Sequence, residues 1–303
     1  MRPHVPQIGV DFGGTEIEAA ALSRDGRIAV ACRAPTPTNY EAALTTVCDL
    51  VGRVEAELDG LGTIGVGCPG SISPRTGLMR NANSTWLNGK HFQQDLEAAL
   101  ARPVRLANDA NCLALSEAVD GAAAGAKVTF AVIIGTGCGG GIAINARLVE
   151  GANSFAGEWG HNPLPWPAPE EAPGPTCWCG RQGCLETWVS GTGFWRDFHN
   201  HTGRDMPGEQ IMAAARNGDA EASAAFERYL DRLGRALAVV CNIVDPDVIV
   251  FGGGLSNISE LYGQLPCRIA PHVFSDEWSA VLAPARWGDS SGVRGAARLW
   301  SGD

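Results

Sequence analysis

One short pattern opens two stretches of this chain: an apolar strand, a turn of glycine and threonine, then a second apolar strand. It occurs first at Ile8-Gly9-Val10-Asp11-Phe12-Gly13-Gly14-Thr15, where Ile17, Ala19 and Ala21 continue it at a period of two. It returns at Val128–Ile134, Gly135-Thr136-Gly137 and residues 141–145. A strand unit that recurs after intervening helical sequence describes an internally duplicated α/β protein. Gly121-Ala122-Ala123-Ala124-Gly125 breaks the pattern, so the boundary is expected near residue 120, dividing the chain into 1–120 and 121–303.

The spacing between these units predicts further elements. Arg24-Asp25-Gly26 reads as a turn and 27–33 as a third strand; Tyr40–Leu58 has helical spacing with Asn39 as its N-cap. Residues 63–68 form an apolar strand stopped by Pro69-Gly70, Val104–Ala107 another strand, and 110–119 a helix. Pro163, Pro165, Pro167, Pro169, Pro173 and Pro175 mark 151–191 as loop-rich. Beyond it, Phe226, Tyr229, Leu233, Leu237, Val240 and Val244 recur at three- and four-residue steps, an amphipathic helix ended by Asp245-Pro246. A strand over 248–251 runs into Gly252-Gly253-Gly254, and 293–300 reads as a last helix.

Composition excludes several classes. With 45% hydrophobic and 18% charged residues the chain is globular in type. A net charge of −10 argues against nucleic acid or an anionic membrane as partner. No apolar run reaches the roughly 20 residues of a membrane span, and the first residues carry no apolar signal core. Six of the ten cysteines, Cys32, Cys48, Cys68, Cys112, Cys138 and Cys241, stand singly in apolar surroundings, which points to reduced thiols and a cytoplasmic setting.

Three strand-to-glycine turns, at Asp11–Thr15, Gly135–Gly137 and Gly252–Gly254, suit phosphate, because glycine lets backbone N–H groups approach an anion and threonine adds a hydroxyl donor. Together they point to a nucleotide gripped between two domains. Gly135-Thr136-Gly137-Cys138-Gly139-Gly140 also spells G-x-G-x-x-G, but a dinucleotide site needs a helix after the glycines, and a strand follows here. No G-x-x-x-x-G-K-[ST] sequence is present. Asn108-Asp109-Ala110-Asn111 follows a strand and opens a helix; the pair either caps that helix or supplies Asp109 as a general base.

A separate cluster carries metal chemistry. Cys177-Trp178-Cys179-Gly180-Arg181-Gln182-Gly183-Cys184, with His161 upstream in Gly157-Glu158-Trp159-Gly160-His161, offers three thiolates and one imidazole. That donor set fills a closed tetrahedral zinc site, leaves no position for a reactive water, and makes the zinc structural.

With these residues assembled, the chain resembles the ROK family of bacterial sugar kinases and sugar-responsive repressors. The resemblance implies a two-domain α/β fold of the actin-like ATPase or hexokinase type (ribonuclease H-like) with an interdomain cleft, and a C-terminal helix at about 292–303 packing back on the first domain. It implies that Asp11, Gly13, Gly14, Thr15, Gly135, Thr136, Gly137, Gly252, Gly253 and Gly254 bind ATP, with Asp11 orienting Mg²⁺ through water. Asp109 becomes the base, and Gly70, Asn83, Asn108, Asp109, Glu158, His161 and Glu186 bind the sugar. His161, Cys177, Cys179 and Cys184 become the zinc ligands, a homodimer is expected, and Trp86 is either a packing anchor or a sugar platform. Glu16 stands where many members carry lysine.

Within the family, Pro69-Gly70-Ser71-Ile72-Ser73-Pro74 and Asn81-Ala82-Asn83-Ser84-Thr85-Trp86-Leu87-Asn88-Gly89 resemble bacterial fructokinases of the mannofructokinase type. The expectation is therefore phosphorylation of the 6-hydroxyl of fructose, with mannose or glucose as lesser substrates. An N-acetylglucosamine or N-acetylmannosamine kinase is the alternative within the family, and a sugar-sensing binding protein the alternative outside catalysis. A repressor is not expected, since the first strand begins by Ile8 and leaves no room for a helix-turn-helix ahead of it.

Overall fold

The computed structural model describes residues 5–82 and 84–301. Its strands in chain order are β1 (Gln7–Phe12), β2 (Glu16–Leu22), β3 (Ile28–Pro35), β4 (Thr63–Gly67), the short hairpin β5 (Ser71–Ile72) and β6 (Met79–Arg80), β7 (Val104–Ala107), β8 (Val128–Ile134), β9 (Cys138–Ile144), β10 (Arg147–Leu148), β11 (Val248–Gly252) and β12 (Val281–Pro284). The helices are α1 (Tyr40–Leu58), α2 (Phe92–Leu100), α3 (Asp109–Asp120), α4 (Glu186–Val189), α5 (Gly191–Thr202), α6 (Gly208–Arg216), α7 (Ala220–Val244), α8 (Glu260–Ile269) and α9 (Ser291–Ala297).

The duplication read from the first strands extends to whole sheets. One five-stranded sheet has the order β3-β2-β1-β4-β7 and the other β10-β9-β8-β11-β12. In the first, β1 is antiparallel to β2 and parallel to β4. In the second, β10 is antiparallel to β9, and β11 lies parallel to both β8 and β12. No described helix is long and apolar enough to cross a membrane.

Contacts divide the chain into two compact units. Unit 1 comprises Met1–Gly125, Gly141–Ala156 and Asp289–Asp303; unit 2 comprises Ala126–Gly140 and Gly157–Gly288. The dividing line runs through β9 and not near residue 120 alone, as the contiguous stretches 1–120 and 121–303 would have it, while α9 falls in unit 1, where the resemblance put the C-terminal helix.

In unit 1, α1 forms where Asn39 accepts from the Ala42 N–H, and it ends at Asp59 in the left-handed region. It buries Tyr40, Ala43, Val47, Leu50, Val51 and Val54 at helical spacing against a core that includes Ile8, Val10, Ile17 and Ile64. α9 seats by direct backbone approach. A Cβ on Gly9 would lie 1.9 Å from the Val293 carbonyl oxygen, one on Gly65 1.9 Å from that of Ala296, and one on Gly295 1.8 Å from that of Cys112. No other residue fits at these points, so three glycines dock the C-terminal helix onto β1, β4 and α3. Buried Ser291 then donates to Glu117 at 2.9 Å.

In unit 2, α7 carries Phe226, Tyr229, Leu233, Leu237 and Val240 into the core. The same helix buries Arg232 and Arg235, and Glu171 answers both: Arg232 Nε donates to Oε1 at 2.7 Å and Arg235 Nη2 to both oxygens at 2.9 Å. Arg232 Nη1 also reaches Asp197 on α5 at 2.7 Å. The proline-rich stretch is mostly irregular, with single 3₁₀ turns at Trp159–His161 and Pro169–Glu171 before α4.

Candidate active site

The residues in unit 1 gather around the end of β1. Alternation sends Ile8, Val10 and Phe12 into the core and leaves Asp11 on the other face. The turn that follows is closed by Gly13 N–H donating to the Glu16 carbonyl at 3.0 Å and by Thr36 Oγ1 donating to the Gly13 carbonyl at 2.7 Å. Gly14 and Thr15 remain exposed, as an anion-binding turn requires. The exposed Glu16 carboxylate pairs with Arg33 at 3.4 Å.

Asp11 is poorly compensated. Burial pushes its carboxyl up to about 7, and the neighbouring acids Asp109 and Glu18 push the same way against Arg33. The backbone of α9 stands directly over it: a Cβ on Gly292 would lie 2.2 Å from Asp11 Oδ2. Asp109 is the first residue of α3, accepting from the Ala110 N–H at 2.8 Å. Asn108 does the capping, accepting from the Asn111 N–H at 2.7 Å. Asp109 is reached by solvent yet crowded by protein, and the crowding raises its carboxyl above the ordinary carboxylate range. Capping and chemistry thus fall to different members of the pair.

Beside this helix start lies a cavity of about 530 Å³, lined in part by Gly70, Ser71, Asn108, Asn111, Glu150 and Ser154. Gly70 has φ +83°, and a Cβ there would meet the Arg80 carbonyl at 2.4 Å. Asn111 Oδ1 is buried without a hydrogen-bond partner among the described residues. An orphan acceptor of that kind asks for a donor. Sequence reading gave Asn111, Ser71, Glu150 and Ser154 no role; the only available signal was the three-residue step from Asn108 to Asn111 on one helix face. Asn83 lies outside the described residues.

Unit 2 brings the second and third glycine turns together. Gly135 N–H donates to the Gly137 carbonyl at 3.1 Å, and the Gly135 carbonyl accepts from Gly191 N–H at 2.7 Å. Thr192 Oγ1 holds the Thr136 carbonyl at 2.9 Å. Gly252 pairs with Ile133 across β11 and β8, and Gly253, at φ +81°, would place a Cβ 2.7 Å from the Ile134 carbonyl. Gly254 faces open space.

The cysteine cluster sits in the same unit. His161 Nδ1 is 3.6 Å from Cys177 Sγ, Cys179 Sγ is 3.6 Å from Cys184 Sγ, and all four ligand atoms lie within 4.8 Å of one another. Zinc–thiolate bonds of about 2.3 Å in a tetrahedron imply sulfur–sulfur edges of roughly 3.8 Å. The donors therefore fit a zinc ion, with Nδ1 as the ligand nitrogen and Nε2 left over. Glu158 opens the 3₁₀ turn that delivers His161, a turn tied down by Trp159 Nε1 donating to the Gly139 carbonyl at 2.9 Å. Glu186 begins α4, where its Oε2 accepts from Cys138 N–H at 3.1 Å and its Oε1 from Trp178 Nε1 at 2.6 Å. A Cβ on Gly137 would lie 2.7 Å from Glu186 Oε2, so a side chain there would displace the carboxylate.

Two sheets of one strand order, with glycine turns at their strand ends, are the hexokinase-type fold seen in sugar kinases. The chain belongs to the ROK family, whose model matches residues 7–303. It is 40% identical over 296 residues to an N-acetyl-D-glucosamine kinase of Citrobacter koseri, covering 96% of this chain and 98% of that protein. Among solved structures it resembles the ROK hexokinase of Thermus thermophilus, with TM-score 0.86 and 32% identity over 97% of each chain. It also resembles a ROK family glucokinase of Streptomyces griseus solved with glucose and AMPPNP, with TM-score 0.78 and 29% identity over 97% of this chain and 98% of that one. The sequence expectation put fructose first, whereas the N-acetyl-D-glucosamine kinase matches its stated alternative.

Proposed function

We propose that this protein transfers the γ-phosphoryl group of ATP to the 6-hydroxyl of an N-acetylhexosamine, N-acetyl-D-glucosamine first. The observation that carries the choice of sugar is the 40% identity to an N-acetyl-D-glucosamine kinase across nearly the full length of both chains. Asp109 takes the hydroxyl proton as the sugar oxygen forms its bond to the γ-phosphorus and the bond to the leaving ADP oxygen breaks. A carboxyl raised by burial suits that task, because a base works best with its pKa near the working pH. Asn108, Glu158, His161, Glu186 and the Gly70 backbone bind the sugar, with Asn83 as a further contact. The turns at 13–15, 135–137 and 252–254 bind ATP through backbone N–H groups.

Two metals fit the residues present. Asp11, an under-compensated acid beside a second acid, would hold Mg²⁺ through water, and the ion would neutralise phosphate charge. His161, Cys177, Cys179 and Cys184 would hold zinc, whose part is to fix the loop that presents His161 and Glu186.

A panel of N-acetylglucosamine, N-acetylmannosamine, glucose, mannose and fructose, each assayed for kcat/KM with ATP, tests the choice of sugar. The highest value is expected for N-acetylglucosamine. A higher value for fructose or for an unsubstituted hexose would overturn it.

A further inference from the structure

Glu186 is gripped by donors from two different segments. Cys138 N–H, just past the second glycine turn, reaches Oε2 at 3.1 Å, and Trp178 Nε1–H reaches Oε1 at 2.6 Å. Trp178 is the residue between two of the clustered thiols, Cys177 and Cys179. It is also 63% exposed, although an indole serving only to pack would be covered. Its ring meets that of His161 edge-on, with centroids 5.0 Å apart and planes at 83°. One side chain thus touches two of the residues assigned to the sugar while its own backbone is flanked by metal ligands.

We propose that Trp178 is a positioning and specificity residue: its indole N–H fixes the Glu186 carboxylate, and its exposed face is the wall against which the acetamido methyl of the sugar packs. The second half rests on the N-acetylhexosamine reading above. A hydrogen bond to a carboxylate is short and strong, and this one measures 2.6 Å. A carboxylate offers about four lone-pair sites; Trp178 and Cys138 take one each, Cys177 Sγ lies 4.0 Å from Oε1, and the carboxylate keeps acceptor capacity for sugar hydroxyls. An indole beside them offers apolar area at little entropic cost, and an acetyl methyl gains more contact there than the hydroxyl of an unsubstituted hexose. The metal loop gains a direct link to the substrate: clamping Cys177 and Cys179 fixes the residue between them, and that residue fixes Glu186.

The test uses the zinc-loaded, full-length enzyme. Trp178→Phe keeps a ring beside His161 and deletes the N–H, so the dissociation constant for N-acetylglucosamine, measured by calorimetry, should rise about 10-fold, with the kinetic loss falling on KM rather than kcat. Trp178→Ala removes the wall as well, and should lower the kcat/KM ratio of N-acetylglucosamine to glucose by about 3-fold or more. Zinc content, measured alongside, should stay at one ion per chain in Trp178→Phe. An unchanged dissociation constant in Trp178→Phe overturns the positioning role, and an unchanged sugar ratio in Trp178→Ala overturns the specificity role. If the wild type fails to phosphorylate N-acetylhexosamines, the choice of sugar falls by itself. The Trp178→Phe dissociation constant for whichever hexose is used then still decides the positioning role.

Discussion

Each unit holds a pair of acids crowded by protein, and the two pairs behave in opposite ways. In unit 1, burial first, then Asp109 and Glu18, lift Asp11 to about 7 against the pull of Arg33. Asp109 itself is raised by burial. In unit 2, burial also raises Asp197 and Glu171, but bonds from Arg228 and Arg232 to Asp197, and from Arg232 and Arg235 to Glu171, outweigh it and hold both carboxyls below their ordinary values. Arg228 reaches Asp197 through Nε at 2.9 Å and Nη2 at 2.7 Å. Burial alone therefore does not mark a functional acid. The partner does: an acid among arginines joins segments together, while an acid facing another acid is held ready for a cation or a proton.

The largest effect expected from this contrast is on turnover. Asp109→Asn preserves shape and the helix start, so sugar affinity by calorimetry should change little while kcat falls by about 10²–10⁴-fold. Near-normal kcat in this variant would remove Asp109 from the proton's path and make its raised carboxyl an accident of packing. Next in size is a stability effect on the other side of the comparison. Asp197→Asn leaves Arg228 and Arg232 without their shared carboxylate and should cost about 3 kcal/mol in a urea melt. A loss under about 1 kcal/mol would show that Glu171 alone satisfies Arg232 and that the network is redundant.

Much of the scaffold was legible because it is written locally. The strand-turn-strand units, α1 with its Asn39 cap and the apolar stripe of α7 depend on periods of two and of three to four, which any window of sequence displays. The cysteine cluster was legible for the same reason, with three of its four ligands inside eight residues. What remained hidden is long-range. Gly9 and Gly65 looked like ordinary strand glycines, and only the approach of Val293 and Ala296 shows why nothing larger fits. Trp178 carried no role in the sequence reading, because nothing local ties its indole to Glu186 eight residues on. The charge environment of Asp11 draws on Glu18, Arg33 and Asp109, which no local pattern connects. Likewise, the arginines of α7 sit among apolar positions, and nothing nearby in sequence announces Glu171 as their partner.

The smallest effect bears most directly on the contrast, because its sign separates the two kinds of acid. Asp11 rises from 3.8 to about 7 on folding, so between those pH values the folded chain binds a proton that the unfolded chain has lost. Stability from this group is then fully present below about pH 4, declines as pH rises toward 7, and stays low above it. A shift of that size corresponds to on the order of 4 kcal/mol, and partial solvent access reduces it to about 1–2 kcal/mol. Asp11→Asn abolishes the titration. Without divalent cation, the variant should therefore match the wild type near pH 4.5 and exceed it by about 1–2 kcal/mol at pH 8. Adding Mg²⁺ with ATP should narrow the gap at pH 8, since the cation favours the ionised carboxylate of the wild type alone. The measurement is the difference between paired urea melts, which cancels every other titrating group. If the wild type is instead the more stable protein at pH 8, Asp11 is a paired acid like Asp197, and the opposition between the units fails at its centre.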